Sequence, residues 1–243
     1  MNILEHLYQK NVIPLQLWGM DLSITNGVLT LWLALAVVFL FFFLASRRLK
    51  MVPTGLQNLA EMLIDFTKAE IASQIEEGSE KWLPFLVAIF SFIFINNLLG
   101  LVPGLGGSTT NINTTAALAI IVFVVVQAAG IYKIGLAGYL KKYVPAGVPF
   151  FIAIFMIPVE LISQMARPFS LAVRLFANMF AGHAVMLLII SMIIIFKSYI
   201  LLPVPVLGNM AFLAFELFIA AIQAFVFTYL SAFYIATALE EEH

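Results

Sequence analysis

From Gly27 to Ser46 no residue carries a charge. A helix needs about 20 mainly apolar residues to cross the hydrocarbon core of a bilayer, and this run is long enough. Four more apolar stretches follow, at 82–102, 115–137, 148–196 and 210–239. The stretch 115–137 is interrupted only by Gln127, Gly130 and Lys133 towards one end. Backbone facing lipid must satisfy its polar groups internally, so five helices are predicted. Composition agrees: 63% of the 243 residues are hydrophobic and 10% are charged. Soluble domains run at about 45–50% and about 25%. A soluble enzyme, a disordered regulator and a nucleic-acid-binding module are thereby disfavoured. The net charge of −1 gives no field that would attract a nucleic acid. The absence of cysteine removes thiol catalysis, disulfides and Cys-based metal sites. The expected fold is a single all-α integral membrane domain over 1–243, with no cofactor and no metal.

Lys and Arg orient the spans. Arg47, Arg48, Lys50, Lys68, Lys81, Lys133, Lys141 and Lys142 share one side if the chain threads alternately; Lys10 and Lys197 lie on the other. The positive-inside rule then puts the N-terminus outside and the Glu240–His243 tail in the cytoplasm. Glu5 and His6 stand where a signal peptide would carry its basic region, so no signal peptide is expected. In 54–80, Leu56, Leu59, Leu63, Phe66, Ile71 and Ile75 recur at helical spacing, with Gln57, Glu61, Asp65 and Lys68 on another face. This predicts an amphipathic helix, lying on the cytoplasmic membrane surface or packed on the spans. Pro103 to Thr110 reads as a loop, with Asn113 or Thr114 as N-cap of the third span.

The charges inside the apolar stretches demand an explanation. Arg174 lies deep in 148–196, where an arginine costs at least about 2.5–3.5 kcal/mol on insertion scales. Its guanidinium is not relieved by deprotonation. It must face a carboxylate, a water cavity or both. Glu160, Arg167 and Arg174 are spaced two turns apart and share one face, with Ser163, Ser170 and Asn178 close to the same stripe. Such a face suits an aqueous half-path or a polar protein interface, and a structural Glu160–Arg167 salt bridge is the alternative for that pair. His183 falls half a turn out of phase with Arg174. Glu216 and Gln223 share a face of the last span. One antiparallel register of the last two spans brings Arg174 to Gln223 and His183 to Glu216, with a turn near residue 199. Pro203, Pro205 and Gly208 suggest a turn a few residues later. A His and a carboxylate within reach can bind and release protons near neutral pH. As one helix, 148–196 would run about 70 Å against a core of about 30 Å, so tilting, kinking or a break is expected, with Pro158 and Pro168 as candidate kinks.

The run Arg167-Pro168-Phe169-Ser170-Leu171-Ala172-Val173-Arg174-Leu175-Phe176-Ala177-Asn178-Met179-Phe180-Ala181-Gly182-His183, with Glu160 before it, strongly resembles subunit a of the membrane sector, Fo, of F-type ATP synthases. So do Glu216 with Ile222-Gln223-Ala224-Phe225, the tail from Tyr229 to His243, Asn96-Asn97-Leu98-Leu99-Gly100-Leu101-Val102-Pro103, and Asn113-Thr114-Thr115. The resemblance covers the chain from about residue 25 onwards.

The resemblance implies a proton-translocating stator subunit without covalent chemistry of its own. It implies a ring of c subunits beside it, each with a membrane-buried carboxyl group, together with b subunits of a peripheral stalk, other ATP synthase subunits and membrane lipid as partners. It implies that Arg174 faces the ring and makes an arriving carboxyl release its proton, since a nearby cation lowers a carboxyl pKa. It implies that His183, Glu216, Asn178 and Gln223 line a half-channel from outside, and that Glu160 and Ser170 lie along an exit to the cytoplasm. A long tilted antiparallel hairpin of the last two spans and a bacterial inner membrane are expected. Many bacterial members carry Glu first and His second at the relay positions. This chain has His183 first and Glu216 second, as mitochondrial members do, which leaves the order of transfer between them open. Two readings from other classes stand beside this one. A solitary transporter of a small anion, with Arg174 as clamp, would usually carry an inverted repeat, and none is visible. An intramembrane hydrolase would need a nucleophile with a base, or two metal-binding histidines, yet two of the three histidines, His6 and His243, lie near the chain ends.

Overall fold

The computed structural model describes residues 11–14, 16–17, 20–21, 23–47, 49–75, 78–102, 105–141, 150–196 and 203–240. Six α-helices dominate: α1 (Asn26–Ser46), α2 (Leu56–Phe66), α3 (Ser79–Gly100), α4 (Ile112–Lys141), α5 (Phe150–Phe196) and α6 (Pro203–Leu239). All but α2 contain a segment long and apolar enough to cross a membrane. Four strands of two or three residues precede them: β1 (Asn11–Ile13), β2 (Gln16–Leu17), β3 (Met20–Asp21) and β4 (Ile24–Thr25). The first pairs antiparallel with β4, and β2 with β3. Runs this short carry no periodicity, and the sequence reading did not find them.

Helix α6 is the centre of the bundle and packs on α3, α4 and α5. Small and polar residues line much of its buried face: Ala220, Gln223, Ala224, Thr228, Ser231, Ala232 and Ala238, with Phe227 and Ile235 as large fillers. Small residues let helix backbones approach closely, which is how helices associate when lipid removes the hydrophobic drive between them. Leu86, Phe90 and Ile93 of α3, Val122 and Val126 of α4, and Leu171 and Leu175 of α5 complete the core. Helix α1 is peripheral. Its buried residues are Gly27, Thr30, Ala34 and Ala45, while Trp32, Phe39 and Phe43 face outward.

The ends of the helices have local causes. The Thr25 hydroxyl accepts from the Val28 amide and caps α1. The cap of α4 is Asn111, not Asn113 or Thr114: its side-chain oxygen accepts from the Asn113 amide at 2.9 Å, so the helix starts earlier than expected. The last span also starts earlier, at Pro203 rather than 210. Pro203 and Pro205 sit in the first turn of α6, where a missing amide hydrogen leaves no bond unmade. Those prolines therefore open the helix, and the connection from α5 falls on 197–202, outside the described residues.

The helix expected over 54–80 is shorter. After Phe66 the chain passes through a π turn (Thr67–Ile71) and a 3₁₀ turn (Ala72–Gln74), and α3 begins after Gly78, whose φ of 76° is left-handed. The apolar face of α2 is largely outward, as a helix lying on the membrane surface requires, but one polar residue departs from expectation. Gln57 is buried and pins the preceding segment through both backbone groups of Lys50, each at 2.9 Å, while Leu56, Leu59 and Met62 are exposed. Phe66 turns inward enough for its ring to meet Phe90 and Phe225. Of the outcomes expected for 148–196, a break does not occur: α5 is one continuous helix that holds both Pro158 and Pro168 inside it. Helix α4 breaks its geometry at Gly135 (φ 78°, ψ 158°), and the residues beyond bring Tyr139 back against Gly130. Only glycine adopts that conformation readily.

Candidate functional site

Arg174 stands on the outward face of α5, exposed between exposed Ser170, Val173 and Ala177. Among the described residues its side chain has neither a hydrogen bond nor an ion pair. Large apolar side chains are exposed on both helices of the hairpin. Phe169 and Phe180 on α5 are exposed, as are Leu213, Phe215, Leu217, Phe218 and Ile222 on α6. A fixed cation in an apolar outer face is costly in lipid, so this face requires a partner of opposite polarity.

Polar groups of the hairpin lie on either side of that arginine. Towards the 105–111 connection, the imidazole of His183 is lodged among glycines. A methyl group built on Gly100 would lie 3.6 Å from Nε2, and one on Gly107 would lie 3.1 Å from Cε1. The Glu216 carboxylate, 4% exposed, rests on Gly182: a methyl there would meet its Cδ and Oε1 at 2.5 Å. That contact sets the α5–α6 register within one residue of the one read from the sequence. His183 and Glu216 therefore reach the same level of adjacent helices, with no direct bond between them among the described residues.

Several buried polar atoms in this region have no hydrogen-bond partner among the described residues: Asn96 Nδ2, Asn97 Oδ1, Thr109 Oγ1, Asn178 Nδ2, His183 Nε2, Asn209 Oδ1, Glu216 Oε2 and Gln223 Nε2. A buried polar group left unmade costs about 1–3 kcal/mol, so such a gathering marks a candidate site rather than ordinary packing. Asn96 and Asn97 are fully buried. The Ser108 hydroxyl donates to Asn96 Oδ1 at 2.6 Å, and Asn97 Nδ2 donates to the Ala220 carbonyl at 3.4 Å. Sequence reasoning noticed the two asparagines only as part of a resemblance. Asn209 was missed, although it precedes Glu216 by the same seven residues that separate Glu216 from Gln223.

Towards the other end, α4, α5 and α6 enclose a cavity of about 280 Å³ lined by Gln127, Glu160, Gln164, Arg167 and Tyr234 among others. Gln127 Nε2 donates to Gln164 Oε1 at 3.3 Å, and Gln164 Nε2 donates to Glu160 Oε1 at 3.5 Å. Arg167 does not pair with Glu160. Its guanidinium carbon lies 5.5 Å from the centre of the Tyr234 ring. Ser170 is not among the cavity residues and faces outward.

The ATP synthase A chain family matches residues 28–236. The chain belongs to that family. ATP synthase subunit a of Chloroherpeton thalassium is 40% identical over 234 residues, covering 94% of this chain and 70% of that protein. The subunit a of Magnetococcus marinus is 41% identical over 249 residues, 98% of this chain and 93% of that protein. The subunit a of Rubrobacter xylanophilus is 37% identical over 241 residues, 96% and 91%. As a member of the A chain family, the chain is a multi-pass membrane protein, a non-catalytic and proton-translocating subunit of Fo, associated with other ATP synthase subunits.

Proposed function

We propose that this subunit conducts protons through two aqueous half-paths that meet a rotating c-subunit ring at Arg174. The reading rests above all on the setting of that arginine: exposed on the outer face of α5, without a partner among the described residues, with polar groups gathered towards either end of the hairpin. A ring of membrane-buried carboxyl groups supplies the missing opposite charge. As each protonated carboxyl arrives, the guanidinium favours its ionised form and the proton leaves. An arginine cannot itself lose a proton, so it also separates the two half-paths.

In this reading the half-path from outside follows Asn209, Glu216 and Gln223 on α6, with Asn178 and His183 on α5. Buried donors and acceptors in series are what a file of water molecules needs. His183 and Glu216 are the members able to take up and release protons. The half-path to the cytoplasm runs through the cavity at Glu160, with Ser170 on the outer face beside Arg174. Arg47, Lys50, Lys68, Lys81 and Lys133 belong to the Glu160 end of the helices, which the positive-inside rule assigns to the cytoplasm. The N-terminus is then outside, in a bacterial inner membrane. The c-ring occupies the Arg174 face, and b subunits of the peripheral stalk occupy other exposed helix surfaces.

Changing Arg174 to Ala tests this. ATP-driven proton pumping in inverted membrane vesicles is expected to disappear while native gels show an assembled complex. Coupled pumping by that variant at the ordinary rate would overturn the assignment.

A further inference from the structure

Glu160 and Arg167 sit two turns apart on one face of α5 and line the same cavity. Their backbones are separated by a rise of only about 10 Å, a gap two long side chains can close. Opposite charges within such reach of each other attract, and a direct ion pair is the expected outcome. Here the pair does not form. The Arg167 guanidinium lies over the face of Tyr234, a residue of α6, 5.5 Å from the ring centre. Glu160 instead accepts from the neutral amide of Gln164, which in turn accepts from Gln127 of α4.

We infer that Tyr234 is a positioning residue: it holds the Arg167 guanidinium by a cation–π contact and so keeps the Glu160 carboxylate free of a permanent counter-ion. The inference rests on the proposed place of Glu160 in the half-path to the cytoplasm. A carboxylate locked to an arginine must break that pair each time it takes up a proton. A carboxylate held by an amide need not. The ring quadrupole competes for the guanidinium without supplying a negative charge. Gln164 and Gln127 do the complementary task, tethering Glu160 to α4 through neutral groups. The other titratable groups on the cavity wall are Tyr139 of α4 and Glu240 just beyond α6. Neither carries a positive charge, so Arg167 is the one cation on the described wall able to lock Glu160.

The test is passive proton conductance of membranes carrying the assembled complex, with the ATP-hydrolysing sector stripped off and subunit content matched on native gels. Tyr234→Phe keeps the ring and is expected to conduct like the unaltered protein. Tyr234→Leu releases Arg167 to Glu160, and conductance is expected to fall roughly tenfold, as when an extra barrier of about 1.4 kcal/mol is met at each transfer. Adding Arg167→Gln to Tyr234→Leu is expected to restore conductance, which a merely structural role for the ring would not allow. Full conductance in Tyr234→Leu, or a loss that Arg167→Gln does not relieve, overturns the inference. Should Tyr234→Leu fail to assemble, Arg167→Gln alone decides: conductance near normal supports the inference, and a deep loss overturns it. Glu160→Gln separates the two layers. If it conducts normally, the place of Glu160 in the path falls, and the inference with it. If it conducts poorly while Tyr234→Leu conducts well, only the inference falls.

Discussion

Replacing Gly182 by alanine probes the tightest contact in the proposed half-path from outside. The added methyl carbon would lie 2.5 Å from both Cδ and Oε1 of Glu216. Ordinary contact begins near 3.5 Å, so the shortfall is about 1 Å. Gly182 is held by the backbone of a 47-residue helix and Glu216 by a 37-residue one, so neither main chain yields easily. The flexible end of the glutamate yields instead, and its carboxylate shifts by about the shortfall. Misplacing a reacting group by about 1 Å costs on the order of a hundredfold where geometry governs transfer. A water file in the proposed half-path would soften that, so a loss of about tenfold to a hundredfold in proton conductance is expected. Overpacking of this kind costs about 1–3 kcal/mol in stability, compatible with an assembled complex. The assay is conductance of stripped vesicles with the subunit quantified on native gels. A second variant, Gly182→Ala with Glu216→Asp, withdraws the carboxylate by one methylene and is expected to regain part of the loss. Ordinary conductance in Gly182→Ala, or no recovery in the double variant, would refute this reasoning.

Glu216→Gln keeps the shape of the side chain and removes its titration; proton uptake is expected to slow without vanishing. Identical flux in this variant across a range of external pH would count against the His183–Glu216 relay. Gly135→Ala forces a side chain into a backbone region essentially reserved for glycine, at a cost of about 1–3 kcal/mol. Reduced heat resistance of the purified complex is expected, and an unchanged unfolding temperature would show that the bend at Gly135 is not needed.

The spanning helices were legible because long uncharged runs leave a chain few other folds. Their ends were less so. Pro203 and Pro205 look like turn residues in a string of letters, and only the position of α6 reveals them as a helix start. The α5–α6 register was readable to within one residue at Gly182 and Glu216, because polar groups in apolar spans are too rare to be placed at random. The expected meeting of Arg174 with Gln223 is not seen among the described residues: Arg174 is exposed and Gln223 is buried. The inward turn of Gln57 was not readable: its partners are the backbone groups of Lys50, which no pattern of side chains announces. Likewise Arg167 looked equally ready to pair with Glu160 or to leave it. The choice is made by Tyr234, a residue on another helix, and periodicity along one helix carries no information about that.

The unbroken length of α5 has a mechanical consequence. If the chain is the stationary part proposed above, beside a turning ring, it must resist sideways load, and a helix broken near Arg174 would flex there under thrust. This one is braced by α4 and α6 along its flank, so force applied at Arg174 is spread over the whole beam and into the rest of the bundle. In that proposal, faults in the bracing, remote from every ionisable group, would surface as slippage of the ring rather than as loss of the subunit.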